Sequence, residues 1–184
     1  MKNTFKILAL SLVTLFTFSC AKDDVGGTAT ESMAGEWIIT SVEIYDTEGN
    51  FDYDDCEYNE CTYTIQTFNT AANVATEMWL YDAYSFRRFQ VKVNIDQSSK
   101  TFSVDQGASS VFLDYYYEDD DVDEEYPIPY YYDCEVTVTD GAIITDGATS
   151  PTGMPTDAIK FTAEFSDDPG NLYKFSGYRY SGFE

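Results

Sequence analysis

Phe89-Gln90-Val91-Lys92-Val93-Asn94-Ile95-Asp96 alternates apolar and polar residues without a break. A period of two puts Phe89, Val91, Val93 and Ile95 on one face of a strand and the polar residues on the other. That is the pattern of a half-buried antiparallel strand. It recurs downstream: Cys134, Val136 and Val138 alternate with Glu135, Thr137 and Thr139, and Ile159, Phe161, Ala163 and Phe165 alternate with Lys160, Thr162 and Glu164. Turn-forming stretches divide the runs, among them Glu48-Gly49-Asn50, Asp96-Gln97-Ser98-Ser99, Asp140-Gly141 and Asp168-Pro169-Gly170-Asn171. Strands are expected near 36–45, 61–69, 77–82, 85–96, 100–105, 111–117, 130–139, 142–146, 157–166 and 172–181, with at most a single helical turn at 70–76. The fold class is therefore all-β. Eight to ten strands with short connections close into an antiparallel up-and-down barrel, which removes the sheet edges; a β-sandwich is the alternative. A barrel of about eight strands is either filled by its own side chains or holds one small ligand. Phe89, Val91, Val93, Phe161 and Phe165 point inward and are the candidate lining.

The rest of the composition narrows the chemistry. The 184 residues include 33 Asp and Glu against 10 Lys and Arg, a net charge of −23, with 16 Tyr and 13 Phe. Such a field repels nucleic acid and anionic headgroups and attracts cationic partners. The aromatic content is not that of a disordered acidic tail. There is no histidine, which removes Ser-His-Asp and Cys-His catalysis and His-ligated zinc. No Gly-x-Ser-x-Gly occurs either. An enzyme here would have to work through carboxylates, Tyr, Lys or Ser, and no catalytic residue can be assigned.

The N-terminus is organised differently. Lys2 and Lys6 precede an apolar run from Ile7 to Phe18, too short for a bilayer-spanning helix of about 20 residues. Residues 1–19 have the layout of a signal peptide. The run ends Thr17-Phe18-Ser19-Cys20, which resembles a bacterial lipobox. The resemblance implies lipidation of Cys20 as the first mature residue, and so a membrane anchor. Residues 20–34 then form a small, polar, Gly-containing tether. Its Lys22-Asp23-Asp24 start resembles the surface-export signal of Bacteroidota lipoproteins, implying the outer face of the outer membrane. Residues 35–184 are the single folded domain by length.

Cys56 and Cys61 are spaced to form a small disulfide clip in an oxidising envelope. Cys134 reads as a small buried hydrophobe, and its pairing with either remains an alternative. Residues 114–133 hold nine acids and seven tyrosines, and no Lys or Arg occurs between Lys100 and Lys160. A self-repelling block such as Glu118–Glu125 is expected to be a solvated loop between Tyr-rich strands. Asp119, Asp121 and Asp123 are calcium-ligand candidates, but no Gly follows the third acid and Tyr130 stands where an EF-hand needs Glu. No other cofactor is indicated. Consecutive tyrosines in Tyr115–Tyr117 and Tyr130–Tyr132 face opposite ways in a strand, which argues against a single aromatic platform. Arg87-Arg88 is available to a carboxylate or phosphate headgroup or to the surrounding acids.

Gly35-Glu36-Trp37, right after the tether, resembles the G-x-W that opens a lipocalin barrel. The resemblance implies that Trp37 closes one barrel end and that an Arg near the chain end, here Arg179 in Gly177-Tyr-Arg179, packs across it. Phe68–Leu80 and Phe86–Phe102 carry the likeness further: they resemble Bacteroidota lipoproteins described as lipid-binding putative hydrolases, with a lipocalin-like barrel. The likeness covers most of 35–184 and falters over 105–157. It implies a barrel that binds a lipid or other small hydrophobic ligand. The competing functions are a surface module that recruits a cationic protein through the acidic Tyr-rich segment, and a carboxylate-dependent hydrolase.

Overall fold

A computed structural model of the protein describes residues 27–58, 61, 63–83, 85–116 and 128–182. Eleven strands run β1 (Gly35–Asp46), β2 (Phe51–Asp54), β3 (Thr64–Asn69), β4 (Glu77–Tyr81), β5 (Gln90–Asp96), β6 (Thr101–Ala108), β7 (Phe112–Tyr116), β8 (Ile128–Tyr131), β9 (Glu135–Thr149), β10 (Pro155–Phe165) and β11 (Asn171–Arg179). One helical turn, α1 (Asp55–Tyr58), follows β2. Around the ring the order is β11, β10, β9, β6, β5, β4, β3, β1, and β1 pairs back onto β11. All these pairings are antiparallel. The result is a closed eight-stranded up-and-down barrel, as the alternation predicts, and not a sandwich. β2 is a short flank paired to β1, and β7 and β8 form a separate two-stranded sheet inserted between β6 and β9.

Three boundaries differ from the sequence pattern, each for a local reason. Residues 82–89 leave the strand that was expected to begin at 85, because the Asp82 carboxylate gathers the following backbone amides into a loop. Asp140-Gly141 does not turn the chain: Asp140 takes a left-handed φ of 53° inside one long strand, β9, a conformation Asp tolerates, and makes a bulge. The Tyr-rich segments pair with each other outside the barrel and add no staves. β2 was not visible as a strand because only Phe51, Asp52, Tyr53 and Asp54 compose it.

In β1 the period slips once. Trp37 and Ile39 point inward, a bulge between Ile39 and Ser41 leaves Thr40 and Ser41 on the outside in succession, and Val42 and Ile44 resume the inward row. The other barrel strands contribute, among others, Ile65, Met78, Leu80, Val91, Val93, Phe102, Val136, Val138, Phe161, Phe165 and Phe175 to one continuous buried cluster. At roughly 1.5–3 kcal/mol for each large side chain, this column of apolar groups is the main stabilising term.

Cys56 and Cys61 form a disulfide with Cα atoms 4.6 Å apart, and Cys134 is free and buried. Replacing both bridged cysteines by Ser opens a loop of about six residues and is expected to cost about 2 kcal/mol by loop-closure entropy. Melting curves with and without reductant check it: the wild type should shift under reductant, the double variant should not.

Candidate functional site

The barrel has two differently built ends and an aromatic middle. Phe161 and Phe175 stack with centroids 4.6 Å apart at the centre, and Phe102 lies 6.0 Å from Phe161. Above them Phe89 sits 5.4 Å from Phe165, Tyr173 5.3 Å from Phe165, and Phe86 5.5 Å from Phe175. Phe89, Val91, Val93, Phe161 and Phe165 do point into the barrel and are at most 2% exposed. Phe89 reaches across the barrel to Phe165 and Phe175, and all five belong to one buried cluster.

At the end where β1 begins, Trp37 is fully buried. Its indole Nε1 donates to Thr67 Oγ1 (2.9 Å), and the Thr67 hydroxyl donates to the Met33 carbonyl (2.7 Å). The Arg179 guanidinium lies 4.5 Å from the indole centroid, donates to the Ala34 carbonyl (2.6 Å) and pairs with Asp157 (3.3 Å). Trp37 and Arg179 are register partners across the β1–β11 seam. The motif's glycine also has a reason: a Cβ on Gly35 would come within 2.8 Å of the guanidinium. Residues 27–34 cross this end, with Ala29 N–H donating to Asn73 Oδ1 and fully buried Met33 sealing it.

The opposite mouth is polar. Asp82, fully buried, accepts from the Ser85 hydroxyl and from the backbone N–H groups of Ser85, Phe86, Arg87 and Arg88. Burial pushes its carboxyl above the ordinary range, with these hydrogen bonds opposing the rise. The loop so formed lays Phe86 on Tyr63 (5.1 Å) and Tyr173 (5.7 Å). It also lays Arg87 over the Phe165 ring at 4.6 Å. Arg87 pairs with Asp167 (2.7 Å) and Asp168 (3.4 Å). Asp167 also accepts from the Tyr132 hydroxyl (2.8 Å) and the Cys134 thiol (3.4 Å), and Tyr173 donates to Asp168. None of this ring was foreseen beyond Arg87. Asp82 and Asp167 looked like two more acids in an acidic chain, and the Asp-Pro-Gly turn was the only local signal.

The electrostatics make the mouth a set of donors locked onto acceptors. Burial, aided by the bonds to Cys134 and Asp167, raises the Tyr132 phenol; burial and Asp168 raise Tyr173. Burial, the Asp55 hydrogen bond and the charges of Asp55 and Asp82 push Tyr63 up to about 12. All three stay protonated at neutral pH and act as donors. Burial alone would raise Asp167, but its bonds from Tyr132 and Cys134 and the charge of Arg87 hold it below the ordinary value.

Two expectations follow. Asp82→Ala strands several amides of the loop and is expected to cost about 2 kcal/mol in urea unfolding, with Asp82→Asn, which keeps one acceptor oxygen, losing less. Asp167 has a lowered folded pKa, so its stabilisation is present above the unfolded value near 3.8 and disappears as pH falls through the folded one. Melting temperatures of wild type and Asp167→Asn should therefore converge toward acid and separate near neutrality.

Cys20 and Asp119, Asp121 and Asp123 lie outside the described residues. Among the described residues no group of three or more Cys, Asp or Glu is arranged to hold a metal ion. Tyr131 is exposed and Tyr132 half-buried, as opposite-facing neighbours should be.

Among the described residues, two concavities lie on the outward face of the strands. The larger, about 1000 Å³, is lined by outward residues such as Ser41, Glu43, Lys160, Thr162, Lys174 and Ser176, the polar positions that alternate with buried Val42, Phe161 and Phe175. The smaller, about 450 Å³, adjoins it and shares Lys160 and Ser176.

Comparison with curated proteins finds no match. A crystal structure of a Bacteroides ovatus protein of unknown function, at 2.40 Å resolution, aligns with 82% of this chain at 11% identity and a TM-score of 0.41. This chain spans 42% of the length of that one, and a likeness so distant carries no functional argument. The family model described as "lipid-binding putative hydrolase" matches residues 22–184, which takes in the whole barrel, the sealed end and the polar mouth: the chain belongs to that family.

Proposed function

We propose that the protein is a lipid-anchored lipoprotein of the cell envelope, displayed on the outer face of the outer membrane, whose barrel domain binds a lipid or other small hydrophobic ligand. The observation that carries the ligand class is the family match across the entire barrel. The anchor and location rest on the sequence: a basic start, an apolar run of signal-peptide length, Cys20 at its end, and Lys22-Asp23-Asp24 after it. Several acyl chains on one residue would hold the domain firmly, since each buried methylene contributes about 0.8 kcal/mol.

Titration of the protein with a fluorescent polyene fatty acid, followed by displacement with unlabelled lipids, tests the ligand. Saturable binding with displacement supports it; a strictly linear, non-displaceable signal overturns it. Cys20→Ala tests the anchor by fractionation. The variant should leave the membrane fraction, and one that stays there contradicts the anchor.

A second reading is favoured by one feature. β7 and β8 stand apart from the barrel as their own sheet, with Tyr131 exposed and the acidic run of the sequence between them. Such a projection suits a cationic protein partner held electrostatically. Capture of that partner should weaken steeply between low and physiological salt and vanish on deleting 117–126 while the melting temperature is kept; a salt-independent complex would argue against it.

A further inference from the structure

We propose that the smaller outer concavity, and not the barrel interior, is the binding site for a single-chain anionic amphiphile, a long-chain carboxylate whose head sits on Lys160. This deepens the lipid-binding reading and rests on it. The inward side chains of all eight staves pack into one buried cluster. The concavity has room. Its volume of about 450 Å³ lies within the roughly 300–1,000 Å³ of ordinary small-molecule sites.

Its walls come from strands that a simple convex barrel would keep apart. Thr40 of β1 and Ile144 of β9 line it together, although β11 and β10 lie between them in the ring. The long β9–β10 hairpin must therefore bend outward over β11 and β1. The means are visible. Asp140 and Asp146 take left-handed φ values of 53° and 52°. The β9–β10 register shifts between Thr156 and Ala158 and again between Lys160 and Thr162. Gly147 is packed so closely that a Cβ there would lie 2.7 Å from Ile144 Cγ2. Bulges of this kind re-aim a strand and recur beside functional sites.

The chemistry of the lining is amphipathic. Ile144, Ala148, Pro151, Ala158 and Tyr178 supply apolar surface on a face whose other strands present Ser, Thr, Lys and acids. Ile144 is 42% exposed, so a hydrocarbon chain laid there removes real apolar area from water. Ala158 is the floor, paired in register with Ile144 on one side and Tyr178 on the other. Lys160 is the single charged residue lining the concavity. Its register partners are Ala142 and Ser176, and it has no ion pair or hydrogen bond among the described residues. It is a local cation in a chain whose 33 acids and 10 bases otherwise disfavour anions. At the end of an apolar slot it matches a carboxylate.

The test uses the full chain in isolated membranes. The probes are a C16 fatty acid with a diazirine in its chain and the same chain ending in a primary alcohol, each crosslinked by light and mapped by peptide mass spectrometry. Label from the acid is expected within 142–160 and around Tyr178. Lys160→Gln should cut acid labelling about tenfold, as loss of one charge-assisted contact would, while leaving alcohol labelling unchanged. Ala158→Trp, an outward position that the core does not feel, should abolish both, with the melting temperature kept as the control for folding. Label on Phe89 or Phe165, unaffected by these variants, overturns the slot but leaves lipid binding standing. No saturable label anywhere in the barrel overturns both.

Discussion

Trp37→Ala is expected to lower stability by about 3–5 kcal/mol, the usual cost of truncating a fully buried large aromatic residue. The indole is 0% exposed and hydrogen-bonded to Thr67, which in turn holds the Met33 carbonyl. Removing it empties the sealed end and leaves the Thr67 hydroxyl short of a donor and the Arg179 guanidinium without its aromatic surface. The cation–π part alone is about 0.5–2 kcal/mol, so cavity formation dominates. At roughly 2–4 °C per kcal/mol for a chain of this size, calorimetry should show the melting temperature falling by about 6–20 °C. Trp37→Phe refills most of the volume and should recover much of the loss. A fall below about 2 °C for the alanine variant would mean that the indole does not close the barrel.

Gly177→Ala should come next, at about 3 kcal/mol or more, the upper end of overpacking costs. Gly177 faces Ile39 on β1 and Ile159 on β10, beside the β1 bulge, and a Cβ would lie 2.2 Å from the Ile38 carbonyl oxygen. The obstacle is backbone of the closing seam, so relief requires the two strands to part. Gly35→Ala is the natural comparison, because its nearest obstacle, at 2.8 Å, is the end of the Arg179 side chain. A flexible guanidinium can shift by a few tenths of an ångström, and that variant should lose far less. Chemical denaturation of the two side by side decides it: equal losses would mean that the seam yields as readily as a side chain.

The barrel was legible because alternation is a direct record of which side of a strand meets water. Ile159 to Phe165 becomes the inner row of β10, and Phe89 to Ile95 runs from the mouth loop into β5. Trp37 and Arg179 met as the motif likeness implied. Alternation gives direction and not volume, however, so it could not tell whether Phe89 would border a cavity or reach across the barrel to Phe165 and Phe175. It also misled where a lone carboxylate outweighed it. A strand was expected to begin at 85, yet Asp82 captures the amides of Phe86, Arg87 and Arg88 and delays it to Gln90. The outer slot was invisible for a different reason. Ala148, Ala158 and Lys160 are ordinary solvent-face residues in the pattern, and only the bend of β9 at Asp140 and Asp146 brings them under Ile144.

The β1–β11 seam has a consequence for how the molecule is made. Most other barrel pairings, β3–β4, β4–β5, β5–β6, β9–β10 and β10–β11, join consecutive strands, and hairpins of that kind form locally and early. The seam instead joins residues as distant as Ala34 and Arg179, 145 positions apart, and carries the long-range closure entropy. Until it forms, β1 and β11 are both open edges, able to pair with another chain. A chain emerging from synthesis therefore cannot shut its barrel before Phe175 to Arg179 arrive. The last strand works as a latch, and the interval before it engages is when the domain is most exposed to proteolysis and self-association.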